Sequence, residues 1–201
     1  LLFALHELQR FYPFPFELCA FTVDLGFGIQ DFKAIQALCD DFSIPYTVIS
    51  TDIAKIVFET RRESNPCSLC AKMRKGALNQ KAMELGCNKI ALGHHFDDVI
   101  ETTLIGMFYA SQLKAMIPKL HSTNFEGMEL IRPMYCIHEE DIISWMNYNG
   151  LEFIQCACRF TENYTLNNNE GGMSKRQEIK MLIRQLKKDN PLIDKSIFNS
   201  I

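Results

Sequence analysis

The chain has 201 residues, 47% of them hydrophobic and 22% charged, with a formal net charge of −3. That length accommodates one domain with a well-buried core, and the acidic balance excludes a globally basic nucleic-acid binder, so nucleic acid must be met by a local patch. No apolar run approaches the roughly 20 residues of a membrane span and no secretory signal is evident, so a cytoplasmic protein without membrane association is expected.

Residues 1–10 read as a helix with Leu1, Leu2, Leu5 and Leu8 on one face and no capping residue ahead of it, which predicts further chain upstream of Leu1. Residues 18–23 form a run apolar enough, with Thr22 its one polar member, for a buried parallel strand ending at Asp24-Leu25-Gly26. A helix over 31–42 turns Phe32, Ile35 and Leu38 inward. A strand over 45–50 and a short helix over 52–62 follow. The pair Cys67 and Cys70 opens a helix over 72–85, which Gly86 closes. Residues 89–92 are a third strand, and 96–109 a helix led by acids, as the helix dipole favours. After a loop over 111–128 come a fourth strand at 129–132 and a helix at 138–148 stopped by Gly150. Residues 151–154 lead into Cys156-Ala157-Cys158, 163–172 are a loop, and 174–188 are an amphipathic helix with Ile179, Leu182, Ile183 and Leu186 on one face.

Strands alternating with helices predict an α/β fold around a parallel sheet, organised as a single domain over 1–201 with 174–201 as a helical extension. In such folds ligands bind at the carboxyl ends of strands. Asp24, the segment Gly93-His94-His95-Phe96-Asp97-Asp98 and the loop after the fourth strand fall there.

Eight cysteines in a chain of this size are better suited to metal or redox chemistry in a reducing compartment than to disulfides. Cys19, Cys39, Cys87 and Cys136 lie in apolar surroundings and read as small buried hydrophobes. Cys67 and Cys70, joined by one or both of Cys156 and Cys158, form a thiolate set. Either a stapling zinc or an iron–sulfur cluster with an open iron would accept it. Asp97 and Asp98 suit magnesium and a triphosphate at a helix start, and equally suit that helix start for its own sake. His94 and His95 are candidate phosphate or metal contacts, with one of the pair expected to be structural. His6, His121 and His138 belong to no constellation. Lys72, Arg74 and Lys75, beside the cysteines, could neutralise phosphate. Basic residues on the C-terminal helix could meet RNA phosphates or simply be solvated.

Taken together, Pro66-Cys67-Ser68-Leu69-Cys70-Ala71-Lys72-Met73-Arg74-Lys75-Gly76, then Gly93-His94-His95-Phe96-Asp97-Asp98-Val99-Ile100-Glu101-Thr102, Ile131-Arg132-Pro133-Met134 and Cys156 resemble the tRNA 2-thiocytidine synthetase family. These are ATP-dependent sulfur transferases of the adenine nucleotide alpha-hydrolase, or PP-loop, superfamily. The resemblance implies a five-stranded parallel, Rossmann-like core with helices on both faces. Its first strand and phosphate-binding loop would precede Leu1, so residues 1–201 alone should bind ATP weakly and lack activity. It implies ATP, Mg2+ and a 4Fe-4S cluster as cofactors, with zinc as the alternative metal. Cys67, Cys70 and Cys156 would hold the cluster and Cys158 would not, although the family's second two-spaced pair is here Cys156-Ala157-Cys158. Val23, Asp24, Gly93 and His94 would line the nucleotide site, with Asp97, Asp98 and Arg74 catalytic. The implied substrate is a tRNA anticodon loop, approached by Arg61, Arg62 and the C-terminal helix. Sulfide or a sulfur-donor protein would supply sulfur, and a homodimer is possible. A tRNA lysidine synthetase shares the adenylation step but needs no cluster, so the cysteines count against it. A non-catalytic zinc-stapled RNA-binding module is the alternative of another class.

Overall fold

The computed structural model describes residues 1–28, 31–61, 66–113, 115–151 and 174–201. Two compact units can be distinguished, one comprising Leu1–Ile90 with His121–Glu129, the other Ala91–Leu120 with Leu130–Ile201.

In the first unit, β1 (Ala20–Asp24) and β2 (Tyr46–Ser50) pair in parallel, from Ala20 beside Tyr46 to Asp24 beside Ser50. Both segments are rich in β-branched and aromatic residues, which suit a pleated, half-buried surface. Tyr46 reinforces the pairing by donating its hydroxyl to Thr22 Oγ1 at 2.7 Å. α1 (Leu2–Leu8) lays Phe3 edge-on and His6 face-on against Phe42, at ring separations of 5.4 and 4.6 Å. Phe42 follows α2 (Lys33–Asp41), which connects the two strands. α3 (Pro66–Glu84) packs on β1, β2 and a π-helical segment, Lys55–Arg61.

α3 starts earlier than its sequence suggests, so Cys67 and Cys70 lie inside the helix rather than ahead of it. Pro66, the first helical residue, explains the difference. Proline's fixed φ is already helical, and its missing N–H would have no partner there anyway. The far end obeys the expectation. Gly86 takes φ +71°, its amide donates to Met83 O at 3.0 Å, and the amide of Cys87 donates to Ala82 O at 2.8 Å. This is a left-handed helix stop that a side chain would strain.

β3 (Lys89–Ala91), β5 (Glu129–Ile131) and β4 (Lys119–His121) form a second sheet, in the order β3-β5-β4. The amide of Glu129 donates to Asn88 O and that of Leu92 to Ile131 O, so β3 and β5 run parallel. β4 lies within the stretch expected to be a loop. The amides of Ser122 and Arg132 donate to Met128 O and Pro118 O, folding β4 back on β5 as an antiparallel hairpin. All its residues are exposed, so the alternation that would betray a half-buried strand is absent.

In the second unit, α4 (Phe96–Ala110) presents Phe96, Ile100 and Leu104 at four-residue spacing to Ile179 and Ile183 of α6 (Lys175–Asp189). Ile197 and Phe198 of α7 (Ile193–Asn199) complete that core, with the Phe96 and Phe198 rings stacked 4.4 Å apart. Leu182 and Leu186, expected on the same buried face of α6, are 38% and 39% exposed, so the buried stripe is narrower than the sequence suggested. α5 (Glu139–Tyr148) carries the single tryptophan, Trp145. Among the described residues no helix is long and apolar enough to cross a membrane.

Candidate active site

The second unit builds its site where β3 gives way to α4. Leu92 is held to β5 by its amide, and Gly93, His94 and His95 lead from the strand end into the helix, with His95 extended as its N-cap. Asp97 and Asp98 therefore stand in the first turn, where exposed amides favour negative charge. Both carboxylates already have donors. Asp98 Oδ2 accepts from the His95 amide at 3.2 Å, the reach-back of a third-position acid to the N-cap, and His95 Nε2 lies 3.3 Å from the same oxygen. Asp97 Oδ2 accepts from the Glu139 amide at 2.7 Å, so it satisfies an otherwise unpaired donor at the start of α5.

The electrostatics follow from these contacts. Burial works to raise Asp97, but His95, the Glu139 amide and the charges of His95 and His138 outweigh it and bring its pKa down to about 2. His95 moves upward, first because of Asp97, whose Oδ2 stands 3.6 Å from Nδ1, against the opposing effect of burial. That separation exceeds a hydrogen bond, so the attraction there is chiefly between charges. His94 moves downward because it is buried, Asp98 opposing the shift and Arg132 adding to it. A neutral imidazole at His94 and a more readily charged one at His95 give the pair distinct chemical characters. Nδ1 of His94 and Nε of Arg132 are buried without a hydrogen-bond partner among the described residues, while Arg132 Nη1 donates to Ile117 O.

The sequence reading missed what α6 brings to this segment. Arg176 bonds Asp98 Oδ1 through Nη1, approaches Glu101 Oε2 to 3.5 Å and donates from Nη2 to Thr102 Oγ1 at 3.4 Å. Glu101 is 3% exposed, and burial raises its pKa although Arg176 and Lys180 pull it down. Other basic residues of α6 are also paired: Lys180 with Glu139, Lys187 with Asp194, and Lys175 with Glu178 and over the Tyr109 ring. Arg184 and Lys188 make no ion pair among the described residues. The signal for Arg176 was a basic residue in the first turn of a helix, where the dipole disfavours it unless an acid stands opposite.

In the first unit, Val23 and Asp24 end β1 as expected, but the Asp24 carboxylate accepts the amide of Gly26 at 2.9 Å, shaping its own turn. Thr51 donates both its amide and its hydroxyl to Asp24 O, fixing the two strand ends together. Cys67, Cys70 and Arg74 lie three and four residues apart on α3 and so share one side of it. Cys67 and Arg74 are exposed and Cys70 is partly so. Two thiolates on one helical face fit a shared metal or cluster. Cys156 and Cys158, the expected third ligand and its neighbour, lie outside the described residues, as does Arg62. Among the described residues no three His, Cys, Asp or Glu side chains converge as a metal-ligand set; Asp98 has both carboxylate oxygens engaged, and Asp97 has its Oδ2 engaged. None of the expected site residues lines the groove of about 410 Å3 between β2 and α3, bordered by Val48, Ile49, Ala77 and Lys81. Of the cysteines read as buried hydrophobes, Cys39 is buried. Cys19 and Cys87 are partly buried with sulfurs 3.2 Å apart, and Cys136 is exposed just past β5, contrary to expectation.

A family model described as the PP-loop domain matches residues 1–168. The tRNA-cytidine(32) 2-sulfurtransferase of Syntrophotalea carbinolica is 38% identical over 202 residues, covering all of this chain and 74% of its own length. That of Geobacter sulfurreducens is 34% identical over 202 residues, all of this chain and 75% of its own. That of Coxiella burnetii is 35% identical over 190 residues, 94% of this chain and 70% of its own. Among solved structures, the U34-tRNA thiolase NcsA from Methanococcus maripaludis with its [4Fe-4S] cluster superposes with a TM-score of 0.75 over 99% of this chain. It is 22% identical, a likeness of fold, and this chain spans 64% of its length. The glycine–histidine–aspartate strand end, the cysteine-bearing helix and similarity to sulfurtransferases across all of this chain agree, and the chain belongs to the PP-loop family, in its tRNA-cytidine(32) 2-sulfurtransferase branch.

Proposed function

We propose that this protein is an ATP-dependent tRNA sulfurtransferase that converts an anticodon-loop cytidine, at the position 32 named for its relatives, to 2-thiocytidine. The observation that carries the reading is identity of 38% across the whole chain to such an enzyme, with the paired cysteines and the Gly93–Asp98 segment falling on a helix start and a strand end suited to a site. The chemistry has two steps. The C2 oxygen of cytidine attacks the α-phosphorus of ATP and expels pyrophosphate. Sulfide then adds at C2 and AMP leaves with the oxygen. A carbonyl-type oxygen is a poor leaving group, and adenylation turns it into a good one.

The roles proposed for the chain's residues follow from their positions. Val23, Asp24, Gly93 and His94 sit at strand ends, where α/β folds bind nucleotides. Arg74, exposed on the cysteine side of α3, would offset charge on the phosphates during attack. Asp97 and Asp98 hold His95 and the α4 start in place, and the charged His95 they favour can donate a proton or a hydrogen bond. Cys67, Cys70 and Cys156 would hold a 4Fe-4S cluster, which supplies an iron position for incoming sulfur. A single-stranded anticodon loop presents its base at little unstacking cost, and Arg184 and Lys188 are available for its phosphates. The protein would work in the cytoplasm, where tRNA is found, and draw sulfur from sulfide or a donor protein.

The test is to purify the full-length protein without oxygen and incubate it with ATP, Mg2+, sulfide and unmodified tRNA, then digest the tRNA and measure nucleosides by mass spectrometry. Formation of 2-thiocytidine that requires ATP is the expected result. A brown, iron-loaded protein that forms none, or a lysine-modified cytidine in its place, would overturn the reading.

A further inference from the structure

Asp98, Glu101 and Thr102, on consecutive turns of α4, all meet one guanidinium. The two carboxylates converge on a single nitrogen, Nη1 of Arg176. Their side chains are 15% and 4% exposed, so solvent screens them poorly, and two such acids three residues apart repel unless a cation lies between them. Among the described residues no ligand set is built for a metal ion at this point, and the guanidinium fills it. The planar fork of arginine can serve several acceptors from one fixed plane, which a lysine ammonium cannot.

We infer that Arg176 is a positioning residue of the sulfurtransferase site: its guanidinium is the resident cation of the Asp98–Glu101 pair and holds the Asp98 carboxylate against His95. Because Arg176 lies in the first turn of α6, it also sets that helix, which follows the Cys156 segment, against the strand-end segment that carries His94 and His95. Arginine at this position thus acts within the protein, and not on the RNA backbone as a basic helix would suggest. The inference rests on the function proposed above, and its test separates the two.

Full-length protein is prepared as parent, Arg176→Ala, Arg176→Lys, Asp98→Asn, the Arg176→Ala/Asp98→Asn double variant, and Tyr109→Phe. The last removes a 2.6 Å hydrogen bond from α4 to Glu178 of α6 without touching the site. Turnover and KM for tRNA are measured alongside iron content and urea melts. Arg176→Ala and Arg176→Lys should both lower kcat by about tenfold or more, the scale of a misplaced catalytic group, with iron content and the KM for tRNA unchanged. The double variant should be no slower than the slower single variant, as residues acting through one contact behave, and Tyr109→Phe should turn over like the parent. A raised KM with unchanged kcat would make Arg176 an RNA contact and overturn the inference. So would parental turnover by Arg176→Lys, or an equal fall in Tyr109→Phe, which would reduce the effect to tethering. A parent that thiolates no tRNA overturns the function, and the melts still decide the pair: coupled losses for Arg176 and Asp98 uphold it and additive losses overturn it.

Discussion

Asp97 gives a stability prediction independent of any reaction. Its Oδ2 accepts the Glu139 amide at 2.7 Å, and the loss of such an acceptor at a helix start costs about 0.5–2 kcal/mol. Its charge contributes separately. The folded pKa of about 2 lies below the ordinary 3.8, a depression equivalent to about 2 kcal/mol at most, since the side chain is still 28% exposed and water screens part of it. The group is depressed, so its contribution is complete above about pH 4 and is lost as pH falls towards 2. Asp97→Asn keeps an oxygen acceptor and loses the charge, whereas Asp97→Ala loses both. At pH 7 the order of stability should therefore be parent, then Asn, then Ala, with Asn about 1–2 kcal/mol below the parent. The gap between parent and Asn should close as pH approaches 2, while that between Asn and Ala persists. Trp145 is the single tryptophan and lies on α5, whose first amide Asp97 binds, so its fluorescence during urea melts reports the helix in question. Parental stability of Asp97→Asn at pH 7, or a gap that does not shrink in acid, would refute the reasoning.

Two further outcomes are expected. Ile179→Ala, which opens a hole beside Phe96, Ile100 and Leu104, should cost about 2–5 kcal/mol in urea melts, and a loss below 1 kcal/mol would mean that the α4–α6 core is not a principal one. Cys67→Ser, Cys70→Ser and Cys156→Ser should each lose iron, sulfide and brown colour together, while Cys158→Ser keeps them; equal loss from Cys156→Ser and Cys158→Ser would indicate a closed, four-thiolate site.

The legible parts of the fold were those whose cause is local. β1, β2, β3 and β5 announced themselves as short β-branched or apolar runs. Gly86 and Gly150 marked helix ends because each must adopt positive φ, +71° and +61°. β4 stayed hidden because Lys119, Leu120 and His121 are all exposed and its pairing depends on β5, which lies beyond a turn. α3 starts ahead of residue 72, where the basic run after the cysteine pair suggests it, because Pro66 lets the helix begin before both cysteines. Cys136 shows the reverse error: apolar neighbours in sequence, Tyr135 and Ile137, did not bury it.

The site divides along the same line. Asp97 and Asp98 could be assigned to a helix start at the end of a strand, but a helix start and a catalytic site demand the same residue type, so sequence could not apportion the charge between them. The partners that hold the two carboxylates are distant: Glu139 lies 42 residues from Asp97, and Arg176 lies 78 from Asp98. A run of lysines and arginines on an amphipathic helix carries the same ambiguity, since a phosphate and a carboxylate attract it equally. In α6, carboxylates hold Lys175, Arg176, Lys180 and Lys187, so the helix's basic count overstates the charge it can offer to RNA. Its positive charge is spent largely on ion pairs within the second unit, and under the proposed function Arg184 and Lys188 are the cations of this helix left for an RNA backbone.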